Sequence, residues 1–364
     1  MKGLYFHIPF CLSKCGYCSF YSFRANEEQK DLYLSALLSH IDEWGKKESL
    51  AFDSIYFGGG TPSVFGGKRI LAVLKKVREN FDISSSCEIT VEVNPSSADD
   101  ELFVHLKKAG VNRISMGVQS AVSKERKAIG RLSDESQVLS ALGLCKRYGF
   151  ENVSLDLMLG LPFQTKESLE KSLDFILSCG CKHVSTYMPK LGSGTPLFER
   201  QNDYSFPDED AVCELYLKTC ETLKKSGFEH YEISNFSLPG FQSRHNNKYW
   251  LCGEYLGIGP GAHSFMGGKR FFYESDFYGF LNGAKPIFDC DGGDEEEFVM
   301  LALRLSRGLV FEEYKSRFGK DYPKEKLKKA EELQKHGLLT ISESSLSLTE
   351  KGFLLSNSII AELA

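Results

Sequence analysis

Six short apolar runs alternate with six longer helical patterns over the first 230 residues, and that alternation constrains the fold more than any other feature of the chain. The runs are Leu4–Ile8, Ser54–Phe57, Glu88–Val93, Arg113–Val118, Asn152–Leu159 and His183–Met188. They are rich in β-branched and aromatic residues, and most close on Gly, Pro or Asn, which marks them as strands. The helical stretches between them are roughly Glu27–Trp44, Lys68–Asn80, Ala98–Ala109, Asp134–Tyr148, Lys166–Ser178 and Asp208–Ser226. Leu102, Phe103 and Leu106 keep one apolar helical face, and Gly110 and Gly149 supply C-terminal stops. Six strand-then-helix units predict an α/β fold with a parallel sheet and right-handed crossovers. Periodicity leaves an open doubly wound sheet and a barrel both standing. In either, functional residues gather at the C-terminal ends of the strands.

Directly after the first strand stand Cys11, Cys15 and Cys18, spaced C-x-x-x-C-x-x-C. Three thiolates can hold three irons of a cubane [4Fe-4S] cluster, leaving the fourth iron open to an exogenous ligand. The competing readings fit less well. A zinc site wants a fourth ligand and paired C-x-x-C halves, and no second half is present. A disulfide framework suits short secreted chains. A lipoprotein signal also ends in cysteine, but here only Lys2 is basic, and His7 and Pro9 interrupt the apolar run.

Composition narrows the partners. With 44 basic and 49 acidic residues the net charge is −5, so nothing points to nucleic acid or an anionic membrane. No apolar run approaches the roughly 18 residues of a membrane span. Eleven cysteines without an export signal imply a reducing, cytoplasmic compartment. The eight beyond the triad show no ligand spacing of their own, and most read as small buried hydrophobes.

Several polar residues sit at strand ends. Gly58-Gly59-Gly60-Thr61-Pro62 follows the second strand, and glycines there let backbone approach a ligand without a Cβ in the way. Glu92 ends the third strand between two valines, a costly place for a carboxylate without a partner. Gln119 ends the fourth, Arg131 follows in Gly130-Arg131-Leu132, and Asp156 lies in the fifth. Each alone could be a satisfied core polar group; together they converge on one mouth. Arg131 can pair a carboxylate in bidentate fashion, and Gln119 and Asp156 suit hydroxyls.

The remainder divides into two parts. Residues 231–290 form an extension rich in Gly, aromatics and His, ending in the acidic linker-like stretch Asp289–Asp294. Residues 291–364 read as helix Glu295–Leu305, helix Lys324–Lys335, strand Leu338–Ser342, strand Ser345–Leu348 and helix Lys351–Leu363, a winged-helix-like order. With 11 basic and 14 acidic residues, net −3, this α+β domain is disfavoured for phosphate binding and reads as a packing or lid domain.

The triad, with the aromatic Tyr17 before its last cysteine, resembles the radical S-adenosylmethionine (SAM) superfamily. That resemblance implies a partial (β/α)6 barrel over residues 1–230, a [4Fe-4S] cluster, and SAM chelating the open iron. It implies SAM contacts from Tyr5, Tyr17, Gly59, Gly60, Thr61, Glu92, Gln119, Arg131 and Asp156. Nearly end to end, the chain resembles the oxygen-independent coproporphyrinogen III oxidase family, whose branches are an oxidase, HemN, and a haem chaperone, HemW. Phe20 stands where the oxidases carry a further cysteine, the motif begins almost at Met1 with no N-terminal arm, and His245-Asn246-Asn247-Lys248-Tyr249-Trp250 matches the HNxxYW of the chaperone branch. Ser133 departs from that branch, which usually has histidine there. The resemblance implies haem as a ligand, an acceptor among respiratory proteins at the membrane, and a homodimer. It makes His245, Tyr249 and Trp250 haem-binding candidates. A neutral imidazole is a good haem ligand, and the two aromatics offer flat area to a macrocycle. A structural histidine in a buried aromatic turn is the competing reading, and His263 and Cys252 are rival ligands. The enzyme alternative is an active coproporphyrinogen III oxidase, with another tetrapyrrole enzyme and an iron-sulfur sensor behind it.

Overall fold

The computed structural model describes residues 1–131, 133–189 and 192–364. The six strands are β1 (Lys2–Ile8), β2 (Ala51–Gly59), β3 (Asp82–Val93), β4 (Arg113–Gln119), β5 (Asn152–Met158) and β6 (His183–Tyr187). They pair in chain order, all parallel. The returning helices are α1 (Glu27–Lys47), α2 (Gly67–Asn80), α3 (Asp100–Lys108), α4 (Glu135–Arg147), α5 (Lys166–Ser178) and α6 (Glu209–Lys225). All but α2 begin on a side-chain cap: Asn26, Asp99, Asp134, Thr165 and Asp208 each accept from a backbone N–H of the first turn.

The strands alternate between an apolar outer face and a polar inner one. Ile55 and Phe57, Ile89 and Val91, Ile114 and Met116, and Val153 and Leu155 are buried under the helices. The intervening residues are in register across the sheet: Tyr56 with Thr90, Glu92 with Ser115, Gly117 with Asp156, and Asp156 with Ser185. Central parallel strands usually read as continuous apolar runs. Here the sheet curves into a partial (β/α)6 barrel, and the polar face turns inward to line a cleft. Because β1 and β6 pair with other strands rather than with each other, the barrel does not close.

Residues 231–290 extend the same sheet. β7 (Glu229–Glu232) and β8 (Asn235–Ser237) add antiparallel strands beside β6. At the other edge β9 (Tyr255–Ile258) pairs parallel with β1, followed by β10 (His263–Met266), β11 (Lys269–Phe272) and β12 (Ile287–Asp291). Helix α7 (Arg244–Trp250) lies between the two groups in sequence. The acidic stretch at Asp289 is therefore not only linker: its first residues belong to edge strand β12, whose side chains all face solvent, and Asp294 caps the next helix. Charge is tolerated on an edge strand with no second layer over it.

The C-terminal domain holds α8 (Glu295–Ala302), β13 (Leu309–Val310), α9 (Phe311–Phe318), α10 (Lys324–Lys335), β14 (Leu339–Ile341), β15 (Ser345–Leu348), α11 (Glu350–Leu354) and α12 (Ser356–Leu363). Its three strands form a small antiparallel sheet in the order β13-β15-β14. The expected last helix is two, broken at Leu355, whose backbone leaves the helical region. β13 is too short for sequence periodicity to show.

Candidate functional site

A cleft of about 410 Å³ opens at the C-terminal ends of the barrel strands, and the three cysteines share its lining with Tyr17, Gly59, Gly60, Thr61, Glu92, Gln119, Arg131 and Asp156. Residues scattered over 146 positions of sequence meet here because each ends a strand or opens the loop after it.

Cys11, Cys15 and Cys18 are free thiols, each partly buried. Burial, and the neighbouring Cys15 and Cys11, push the Cys18 thiol up, while a hydrogen bond with the Phe20 backbone opposes them. Three sulfurs that disfavour one another's ionisation are the donor set a multinuclear cationic cluster relieves. The glycine turn seats this loop. Gly60 N–H donates to Ile8 O at 2.8 Å and Thr61 N–H to Phe10 O at 2.7 Å. A Cβ on Gly60 would stand 2.7 Å from Phe10 O and 2.8 Å from Ile8 O. Gly59 has φ +103°, and a Cβ there would enter the His7 ring at 2.6 Å. The Thr61 hydroxyl lies 3.5 Å from Cys11 Sγ, joining turn and triad.

Two carboxylates face the cleft. Burial pushes Glu92 up to about 7, against the hydrogen bond it accepts from Tyr56 Oη at 2.8 Å. Burial pushes Asp156 up to about 6, opposed by Ser185, Arg113, Arg131 and Ser115. Both sit near their ionisation point, so a cationic or hydroxyl-bearing ligand gains most from them.

Gln119 ends β4 with φ +70°, a strained conformation for a residue with a Cβ, and its Oε1 accepts from Tyr187 Oη at 3.1 Å. The strain sits at a bulge between Gly117 and Gln119, which re-aims the side chain into the cleft. Arg131 donates from Nη2 to Gly117 O and from Nε to Ser133 Oγ at 3.1 Å. Ser133, the departure from the family pattern, thus positions Arg131. Tyr17 is buried beside Cys15, Arg131, Cys18 and Asp156, and burial raises its pKa. Tyr5 is not on the cleft lining: its hydroxyl is 3.1 Å from His7 Nδ1, and its ring lies behind Tyr56, centroids 6.3 Å apart.

His245, Tyr249 and Trp250 are on α7, which plugs the opposite end of the barrel. Glu88, on β3, accepts from the backbone N–H of Arg244 and of His245, each at 3.0 Å. Both His245 ring nitrogens are engaged, Nδ1 with Ser54 Oγ at 3.0 Å and Nε2 with Tyr249 Oη at 2.9 Å. Burial lowers its pKa to about 3. In this conformation His245 has no nitrogen open to iron, and it serves as a buried structural histidine. Trp250 Nε1 is buried without a partner among the described residues, with the Arg304 guanidinium 5.7 Å from its ring. Of the rival ligands, Cys252 is buried and His263 is exposed.

Sequence reasoning missed Tyr56, Arg113, Ser115, Ser185, Tyr187 and Asn246 on the cleft lining. Arg113-x-Ser115-x-Gly117 is a polar alternation that could have been read as an inward strand face. Asn246 gives no such signal, because α7 reaches the cleft only through the fold.

The radical SAM superfamily model matches residues 5–176, and the HemN C-terminal domain model matches residues 295–355. A heme chaperone HemW of Lactococcus lactis subsp. lactis (strain IL1403) is 35% identical over 367 residues, covering 98% of this chain and 96% of that one. The chain belongs to the HemW family. A HemW of Escherichia coli (strain K12) is 32% identical, covering 98% of this chain and 97% of its own length. A mitochondrial radical S-adenosyl methionine domain-containing protein 1 of Bos taurus is 36% identical over 72% of this chain and 60% of its own. Among solved structures, the coproporphyrinogen III oxidase HemN from Escherichia coli superposes with a TM-score of 0.84 at 23% identity, covering 99% of this chain and 89% of that one. At that identity the likeness shows the fold. HemW membership accounts for the HNxxYW segment and for Phe20 in place of a further cysteine. Among the described residues, no helix is long and apolar enough to cross a membrane.

Proposed function

We propose that this chain is a cytoplasmic haem chaperone that carries a [4Fe-4S] cluster and SAM in the barrel cleft and delivers haem to an acceptor protein. The observation that supports it is the cleft itself: three free thiols, a backbone cradle and two buried carboxylates share one cavity. Cys11, Cys15 and Cys18 would hold the cluster, which when reduced supplies one electron to a sulfonium bound beside it. Gly59, Gly60 and Thr61 leave room for the methionyl ammonium, and Glu92 offers it negative charge. Arg131 orients the carboxylate; Gln119 and Asp156 accept from ribose hydroxyls; Tyr17 covers the cluster loop. Tyr5 acts from behind, through Tyr56 and His7.

Haem contact is proposed for the HNxxYW segment, with Trp250 and Tyr249 as flat surfaces. Ligation by His245 requires it to release Ser54 and Tyr249, at a cost of roughly 1 kcal/mol for each hydrogen bond. The acceptor is a haem-requiring respiratory protein, and a homodimer is the transfer-competent form.

Two measurements test this reading. Anaerobic haem titration of the reconstituted protein is expected to saturate, with Trp250→Ala weakening it and leaving the cluster absorption unchanged. Anaerobic incubation with SAM, reductant and coproporphyrinogen III is expected to yield no protoporphyrinogen. Product over many turnovers would replace the chaperone reading with the oxidase.

A further inference from the structure

Away from the cleft, three ligand-bearing side chains meet where the barrel touches the C-terminal domain. Cys220 lies on α6, His230 on β7, and Glu350 opens α11; one ligand atom of each lies within 4.8 Å of the other two. None of the three lines the cysteine-triad cleft. Cys220 is fully buried. His230 Nε2 is buried with no hydrogen-bond partner among the described residues. The imidazole is clamped in place: it stacks on Phe236, centroids 4.1 Å apart with planes at 10°, and Phe353 of α11 packs on it at 5.2 Å. Glu350 Oε1 accepts from Lys224 Nζ at 2.7 Å, which leaves Oε2 for another cation. A buried nitrogen without a partner costs about 1–3 kcal/mol, and here it sits beside a thiol and a carboxylate.

We propose that Cys220, His230 and Glu350 bind a divalent cation of the zinc class that clasps the C-terminal domain to the barrel. Thiolate, imidazole and carboxylate are the donor types zinc accepts, whereas magnesium and calcium take oxygen ligands. Burial holds His230 near a pKa of about 4, so its ring is neutral and its lone pair free at physiological pH. Burial pushes Cys220 up to about 12, so the bound metal displaces the thiol proton to solvent. Tetrahedral zinc holds its ligand atoms about 3.5 Å apart. Glu350, the longest and most exposed of the three, closes the remaining gap, and water completes the shell.

The test uses the full chain with Cys11, Cys15 and Cys18 replaced by alanine, so that the cluster cysteines cannot compete. Anaerobic titration with Co²⁺ is expected to give a thiolate-to-cobalt charge-transfer band and visible bands of tetrahedral intensity, both displaced by Zn²⁺. Cys220→Ser removes the charge-transfer band. His230→Gln weakens binding by more than the roughly 10–100-fold that loss of an outer-shell partner costs. Lys224→Met, at an exposed position that leaves the fold intact, tightens binding by freeing Glu350. A folded parent without the charge-transfer band, a band that survives Cys220→Ser, or affinity unchanged in both His230→Gln and Lys224→Met overturns the proposal.

Discussion

His245 stacks on Tyr56, ring centroids 5.2 Å apart with planes at 30°, and Tyr56 in turn donates a 2.8 Å hydrogen bond to Glu92. The HNxxYW helix and the SAM cleft are thus two ends of one packed column inside the barrel. A change at the floor is felt at the mouth through a ring that cannot move independently of its neighbours.

His245→Ala tests that column. It opens a cavity under Tyr56 and strips Ser54 and Tyr249 of their shared partner. The expected cost is about 2–4 kcal/mol of stability, read as a drop in denaturation midpoint. SAM affinity falls with it, because Tyr56 loses the surface that holds it against Glu92. A variant with unchanged stability and unchanged SAM affinity would dissolve the link.

Glu92 ties the cleft to pH. Its folded pKa, about 7, lies above the ordinary value of 4.5, so the folded protein binds a proton more tightly than the unfolded chain does. Its contribution to stability is fully present below about pH 4.5 and is lost as pH rises through 7. Glu92→Gln is therefore expected to stabilise the ligand-free protein at pH 8, by about 1–3 kcal/mol. The same change removes the negative charge facing the ammonium. SAM affinity in the parent should rise with pH to a plateau above about 7, and in the variant should be weak and flat. Calorimetric titration across that range reads both.

Gly60→Ala places a Cβ 2.7 Å from the Phe10 carbonyl, a backbone atom that cannot swing aside. The cluster loop must shift, at a cost of about 1–3 kcal/mol. Iron content after reconstitution is expected to fall although all three cysteines remain.

Cys18→Ser tests the triad itself. Hydroxyl in place of thiol removes one iron ligand at nearly constant volume. The cluster absorption should disappear while the far-ultraviolet circular dichroism stays that of the parent.

Much of this was legible in the chain. The six strand-and-helix units needed only periodicity and caps, because each strand's alternation and each helix's apolar stripe are local properties. Cys11, Cys15 and Cys18 were legible for the same reason: a short loop brings its own residues together. Glu92, Gln119, Arg131 and Asp156 could be named because a parallel sheet sends its strand ends to one side.

Other features belong to the tertiary structure alone. That the sheet curves, stops short of closure and takes β7–β12 at its edges depends on pairings between strands far apart in sequence, which no local pattern encodes. His245 looked like a ligand because its neighbours are aromatic and polar; only the fold brings Ser54, Glu88 and Tyr56 around it and uses both its nitrogens. Cys220, His230 and Glu350 are likewise distant in sequence, and their approach exists only once α11 packs against α6 and β7. Residue type and spacing determined what chemistry the chain carries; burial and long-range packing decided which of those groups are free to perform it.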